Sequence, residues 1–193
     1  MWGRILGSNA LTGLSVYFIT KKRYEKKENL NLQCHSIKDD AASKTFKTYT
    51  KIVSNTFDSD TINVYENEKK WLLNLHDSSV FPKLLYFNDN LRMIVTIDEG
   101  DLLTKRNIPY DYNNQGKNLI KELKRNNCRH NDIKPTELVI KEGKIKLIDF
   151  GWAHEYDKEN PESWPECLGD KYKCTPYNDN CSLKKTLEYI VNK

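Results

Sequence analysis

The sequence predicts an α+β domain, on three observations. Segments with alternating apolar residues collect in residues 1–100, at 4–19, 34–38, 48–53, 81–87 and 91–97. The stretches 61–75 and 114–127 carry apolar residues at helical spacing instead. Between His130 and Ala153 runs HNDIKPTELVIKEGKIKLIDFGWA, in which Leu138 to Ile140 and Ile145 to Ile148 flank Lys141-Glu142-Gly143-Lys144. Two short apolar runs around such a turn predict a tight β-hairpin.

A chain of 193 residues can bury a core as one domain, or as two small lobes sharing a cleft. With 38% apolar residues and no apolar run of the ~18 residues that a span needs, a membrane helix is not expected. The net charge of +4 is mild. Its dense basic run, Lys21, Lys22, Arg23, Lys26 and Lys27, is broken by Glu25 and Glu28, so it predicts a solvated hairpin and not a nucleic-acid footprint. The five cysteines form no CxxC pair. Cys167, Cys174 and Cys181 recur every seven residues, which fits neither a zinc knuckle nor an evident disulfide framework, so reduced thiols are expected. Gly, Ser, Asn and Thr interrupt the apolar N-terminus, which argues against a cleaved signal and for a cytoplasmic location.

A hairpin brings its flanks together. Here they are Asp132 and Lys134 before the first strand, and Asp149, Phe150 and Gly151 after the second. Carboxylates and an ammonium on adjoining loops suit a divalent metal carrying phosphates, since hard oxygens hold Mg²⁺ while Lys offsets phosphate charge. The pattern HxDxKP, hairpin, DFG resembles the catalytic and metal-binding loops of the eukaryotic-type protein kinase superfamily. The resemblance implies a two-lobed kinase-like fold. Residues 1–100 would be a small antiparallel β-sheet lobe with one helix, and 101–193 a reduced, mainly helical lobe.

Taken in order, Arg4 to Ile19 sets two β-like segments around Gly7, Asn9 and Gly13, a turn whose backbone amides could close over phosphates. It resembles the kinase glycine-rich loop leading to Val16, with Asn9 where a second glycine is usual. In CHSIK, Ser36 and Lys38 resemble the small residue and lysine of the AxK motif, the lysine that meets the α- and β-phosphates and a helix glutamate. Lys51, in TYTKIV, is the rival; Lys38 is favoured because it better preserves the distance from the glycine loop, at the cost of an insertion before Glu68. The helix at 61–75 resembles helix C, with Glu68 as the lysine's partner and Glu66 as its rival. Asn88-Asp89-Asn90 predicts a turn between two further strands. The resemblance makes 98–102 a hinge at which Asp101 could meet the ribose, and adds Val139 to the nucleotide contacts. The helix at 114–127 delivers the chain to His130, to which the resemblance gives a structural role.

After Gly151 the segment 152–166 is aperiodic, with Pro161 and Pro165. DNCSLKKTLEYIV then resembles helix F, whose Asp179 would buttress the catalytic loop. The chain stops there, so a minimal or truncated kinase fold is expected. By the resemblance, Asp132 accepts the proton of the attacking hydroxyl, Lys134 contacts the γ-phosphate, and Asp149 with Glu137 holds Mg²⁺ or Mn²⁺ on ATP. Two residues depart from the family. Glu137 stands where a metal-binding Asn is usual, and Asn131 where an Arg commonly precedes the Asp, so control through an activation-loop phosphate is not expected. The implied function is an ATP-dependent phosphotransferase, a Ser/Thr protein kinase on the strength of Lys134. Two alternatives stay open: a pseudokinase acting as a binding or scaffold module, and an enzyme phosphorylating a glycan or another small molecule.

Overall fold

The computed structural model describes residues 17–19, 34–38, 45–59, 61–158 and 178–193, with backbone pairing alone for 17–19, 34–38 and 45–46. The glycine-loop residues Gly7, Asn9, Gly13 and Val16, the basic run, and Pro161, Pro165, Cys167 and Cys174 lie outside them.

The architecture is α+β, as expected. An antiparallel five-stranded sheet is formed by β1 (Tyr17–Ile19), β2 (Cys34–Lys38), β3 (Thr45–Ile52), β4 (Leu84–Asn88) and β5 (Met93–Ile97), in the order β1-β2-β3-β5-β4. The β4–β5 connection turns at 89–92, where Arg92 adopts a left-handed φ of 48°. A three-stranded sheet joins β6 (Asp101–Leu102), β8 (Leu138–Lys141) and β9 (Lys144–Leu147), and β7 (Cys128–Arg129) pairs with β10 (His154–Glu155). The predicted hairpin is the β8–β9 pair. Glu142 (φ 52°) and Gly143 (φ 73°) supply the two left-handed residues that a two-residue turn needs to match strand twist.

Helix α1 (Val64–Asn74) is shorter at both ends than the predicted 61–75. Asn63 caps it, its side-chain oxygen accepting from the Glu66 amide, and so sets its start. Its buried stripe is Val64, Tyr65, Glu68, Trp71 and Leu72, the spacing of one helix face, with a carboxylate in the middle. Helix α2 (Tyr112–Arg125) buries Gly116, Leu119, Ile120 and Leu123, and helix α3 (Asp179–Asn192) buries Leu183, Leu187 and Ile190. A Cβ on Gly116 would lie 3.0 Å from Leu187 Cδ1, so this glycine lets α2 and α3 approach closely. One continuous apolar core runs from α1 through Phe81, Phe150 and the hairpin to α2 and α3. Phe150 is fully buried, edge-on to Phe81 at 5.2 Å and to His130 at 4.8 Å between ring centroids.

The thiol expectation is corrected at one position. Cys181 is disulfide-bonded, its partner lying outside the described residues, whereas Cys128 is a free, buried thiol. Spacing along the chain does not reveal which cysteines a fold brings within bonding distance. No helix of the described residues is long and apolar enough to cross a membrane.

Candidate active site

Three segments far apart in sequence meet at one ammonium. Strand alternation on β3 puts Thr48 and Thr50 on one buried side and sends Lys51 to the other. There Lys51 Nζ donates to Glu68 Oε2 at 2.8 Å, from α1, and to Asp149 Oδ1 at 2.8 Å, just past β9. Glu68 is therefore the helix glutamate of this site. Its rival Glu66 lies two residues nearer the helix start, on the surface, paired with Lys69 at 2.7 Å.

The preference for Lys38 is thereby overturned. Lys38 ends β2, its backbone in register with Thr45, and Ser36 pairs with Lys47. The next strand in the sheet, β3, carries the lysine that reaches α1. Lys51 needs no insertion before the helix, since only 17 residues separate it from Glu68. That proximity was legible in the sequence; the deciding fact is that β3, and not β2, lies beside β5 at the centre of the sheet.

Burial acts against the charge of Lys51, but the Asp149 and Glu68 carboxylates outweigh it and raise the ammonium's pKa well above its ordinary value. The two carboxyls fare differently. Burial raises Glu68, an effect that Lys51 only partly offsets. Burial also pushes on Asp149, yet there the Lys51 charge wins and holds the carboxyl at about 2. Asp149 adopts a left-handed φ of 68°, which Asp tolerates better than most residues; such strain, held by surrounding structure, is common at functional positions.

The second cluster is local. Lys134 Nζ donates to Asp132 Oδ2 at 2.5 Å and lies 3.4 Å from Glu137 Oε1. Glu137 closes a short 3-10 turn, Pro135–Glu137, and also accepts from the Thr136 hydroxyl at 2.7 Å. It is buried. Burial first, then the Asp149 charge, raises its carboxyl to about 7 despite Lys134. The Asp149 charge also acts on Lys134, so the two clusters share one field.

Asp179, at the start of α3, fixes the loop beneath them. Its two oxygens accept from the backbone amides of His130 (2.6 Å) and Asn131 (2.9 Å). His130 is fully buried; its Nε2 meets the Ile148 carbonyl at 3.0 Å, and the Asp132 amide lies 3.3 Å from its Nδ1. Those contacts assign the proton to Nε2, and burial lowers the imidazole pKa, keeping the ring neutral. Asn131 takes a left-handed φ of 65°, for which Asn is suited, and its amide donates to the Trp152 carbonyl at 3.1 Å.

The remaining predicted positions are less central. Asp101 is exposed on β6, whereas Val139 is buried on β8, in register with Leu102 and Lys146. The segment before β6 is strapped to the hairpin: Lys141 Nζ donates to the Asp98 carbonyl at 2.7 Å, and Lys146 pairs with the buried Glu99. Gly100, at φ 101°, lies so close to the Ile140 carbonyl that a Cβ would sit 2.1 Å from its oxygen. Sequence reading missed that strap.

Among the described residues no three His, Cys, Asp or Glu side chains converge as a ready metal cage. Mg²⁺ is typically held by one or two carboxylates plus phosphate oxygens and water, so two carboxyls here could contribute to such a site. Asp149 is ionised and its side chain is 35% exposed; Glu137 is the second available carboxyl. Comparison with protein-family models gives no match, and comparison with curated proteins gives none either.

Proposed function

We propose that the chain is a kinase-like phosphotransferase of two-lobed design that moves the γ-phosphate of ATP to a hydroxyl, with a Ser or Thr side chain of a protein as acceptor. One observation carries the reading: a lysine bridged to a helix glutamate and to the aspartate after a hairpin, beside an aspartate–lysine pair before the same hairpin. Positioning and charge neutralisation dominate phosphoryl transfer, and this arrangement supplies both.

In this reading Lys51 holds the α- and β-phosphates while Glu68 keeps its ammonium in place. Asp149 and Glu137 would hold Mg²⁺ or Mn²⁺, which supplies neutralisation of the phosphate charge. Lys134 turns from Asp132 to the γ-phosphate. The acceptor oxygen attacks the γ-phosphorus as Asp132 takes its proton; the bond to the β,γ-bridging oxygen breaks, and ADP leaves with that electron pair. Asp179 and His130 act on none of these atoms; they hold the backbone from which Asp132 projects.

A second reading, a binding module without turnover, draws support from Glu137, which is buried and already engaged by Thr136 and Lys134. Titrating ATP in Mg²⁺, in Mn²⁺ and in chelator, then following radiolabel transfer to protein and sugar panels, tests both. Metal-dependent binding with label on protein is expected. Label on sugar alone moves the acceptor to a glycan; metal-dependent binding without transfer favours the binding module; equal affinity with and without metal rejects the site.

A further inference from the structure

Helix α1 is fastened to the segment that follows Asp149 by side chains lying outside the site proper. Asn67 Nδ2 donates to the carbonyls of Gly151 (2.9 Å) and Ala153 (2.8 Å), and Trp71 Nε1 donates to the same Ala153 carbonyl at 3.0 Å. Because both acceptors at Asn67 are carbonyls, the amide orientation is dictated by chemistry: only the NH₂ end can serve them. Asn67 and Trp71 are four residues apart, hence on one helix face, and Asn67 immediately precedes Glu68. The fit is close. A Cβ on Gly151 would lie 2.6 Å from Val64 Cγ1, so the chain passes directly against the first turn of α1.

The two carboxylates on Lys51 thus come from segments that are tied to each other independently of the lysine. We propose that Asn67 and Trp71 are positioning residues: by binding the Gly151 and Ala153 carbonyls they lock α1 to the loop after Asp149, and so hold Glu68 and Asp149 on the same Lys51 ammonium without an external activator. The clamp uses one side chain to satisfy two backbone acceptors, and a second to share one of them, so losing it deprives the carbonyls of the buried Gly151 and Ala153 of these donors. It deepens the phosphotransferase reading, from which it takes the importance of the bridge.

Lys51 itself reports the clamp. An ammonium held between two carboxylates is shielded from an acylating reagent, and a loosened bridge frees it. Full-length wild type, Asn67→Leu, Trp71→Phe and, as a remote control, Leu187→Ala at the α2–α3 contact are pulse-labelled with an amine-acylating reagent. The Lys51 peptide is followed by mass spectrometry, alongside thermal melting and Mg-ATP titration. Trp71→Phe keeps an aromatic ring while removing the indole N–H together with some buried ring volume, so it covers the case in which Asn67→Leu does not fold. Faster Lys51 labelling is expected in both clamp variants, roughly tenfold in Asn67→Leu and less in Trp71→Phe as the lost hydrogen bonds ease local opening, with none in Leu187→Ala at a comparable loss of melting temperature. Unchanged Lys51 labelling in the folded clamp variants overturns the proposal and leaves these residues merely structural. Should wild type fail to bind ATP, the phosphotransferase reading falls, while the labelling rates still judge the clamp.

Discussion

The two charged clusters of this molecule are built in opposite ways. Asp132, Lys134 and Glu137 lie within six residues of one loop and meet through its local turn. Lys51, Glu68 and Asp149 come from a strand, a helix and a hairpin exit, up to 98 residues apart. A local cluster forms wherever its loop forms, whereas the long-range bridge exists only if the sheet, α1 and the hairpin are all docked. The bridge is therefore the reporter of tertiary assembly, and the loop cluster the reporter of its own loop.

The sharpest way to break that contrast is Lys51→Met, which leaves two carboxylates facing each other. Removing one partner of a buried ion pair costs about 3–5 kcal/mol; partial exposure of Asp149 puts the expected loss of unfolding free energy near the lower end. Metal-dependent ATP binding should vanish as well. Adding Glu68→Gln should recover part of the stability, and Lys38→Met should retain ATP binding. Urea unfolding and ATP titration check all three, and a Lys38→Met protein without ATP affinity would return the assignment to β2.

Asp179→Asn comes next. It keeps one acceptor and turns the other into a donor aimed at a backbone amide, at a cost of about 1–3 kcal/mol. Turnover should fall further than ATP affinity, because the damage lies beneath Asp132 and not at the bridge; melting curves and single-turnover rates separate the two.

Glu137 sharpens the comparison from the other side. Its folded-state pKa of about 7 lies above the ordinary 4.5, so the native state binds the extra proton. The resulting stabilisation is complete below about 4.5 and is lost as pH rises through about 7. In chelator, Glu137→Gln should remove part of that decline, by on the order of 1–2 kcal/mol; Glu68, raised over the same window, keeps the rest. Denaturant midpoints at pH 5 and pH 8 measure it. With metal present, Glu137→Asn should make ATP binding less metal-dependent, and Asp149→Asn should abolish metal-dependent binding.

The smallest effect belongs to Glu66→Gln. Its pairing with Lys69 is a surface contact, so stability should change by less than ~0.5 kcal/mol, and Lys51 labelling not at all. A large effect would mean that the helix glutamate had been misassigned.

The sequence alone determined the parts whose cause is local. The hairpin follows from two apolar runs around Glu142-Gly143, and α1 from its 64, 65, 68, 71, 72 stripe after the Asn63 cap. Asp132, Lys134 and Glu137 come together because the five peptide bonds from the first to the last leave them little choice. Even the odd carboxylate in the buried stripe of α1 was a legible sign that Glu68 meets a cation. Only the tertiary structure decided which cation. Lys38 and Lys51 both end alternating strands, and pattern cannot tell neighbouring strands apart; strand order, fixed by how β3 pairs with β5, chose Lys51. The Asn67–Trp71 clamp and the Lys146–Glu99 strap were hidden for the same reason. Each joins groups far apart along the chain, and such contacts are selected by the packing of whole elements, a free energy that no short window of sequence contains.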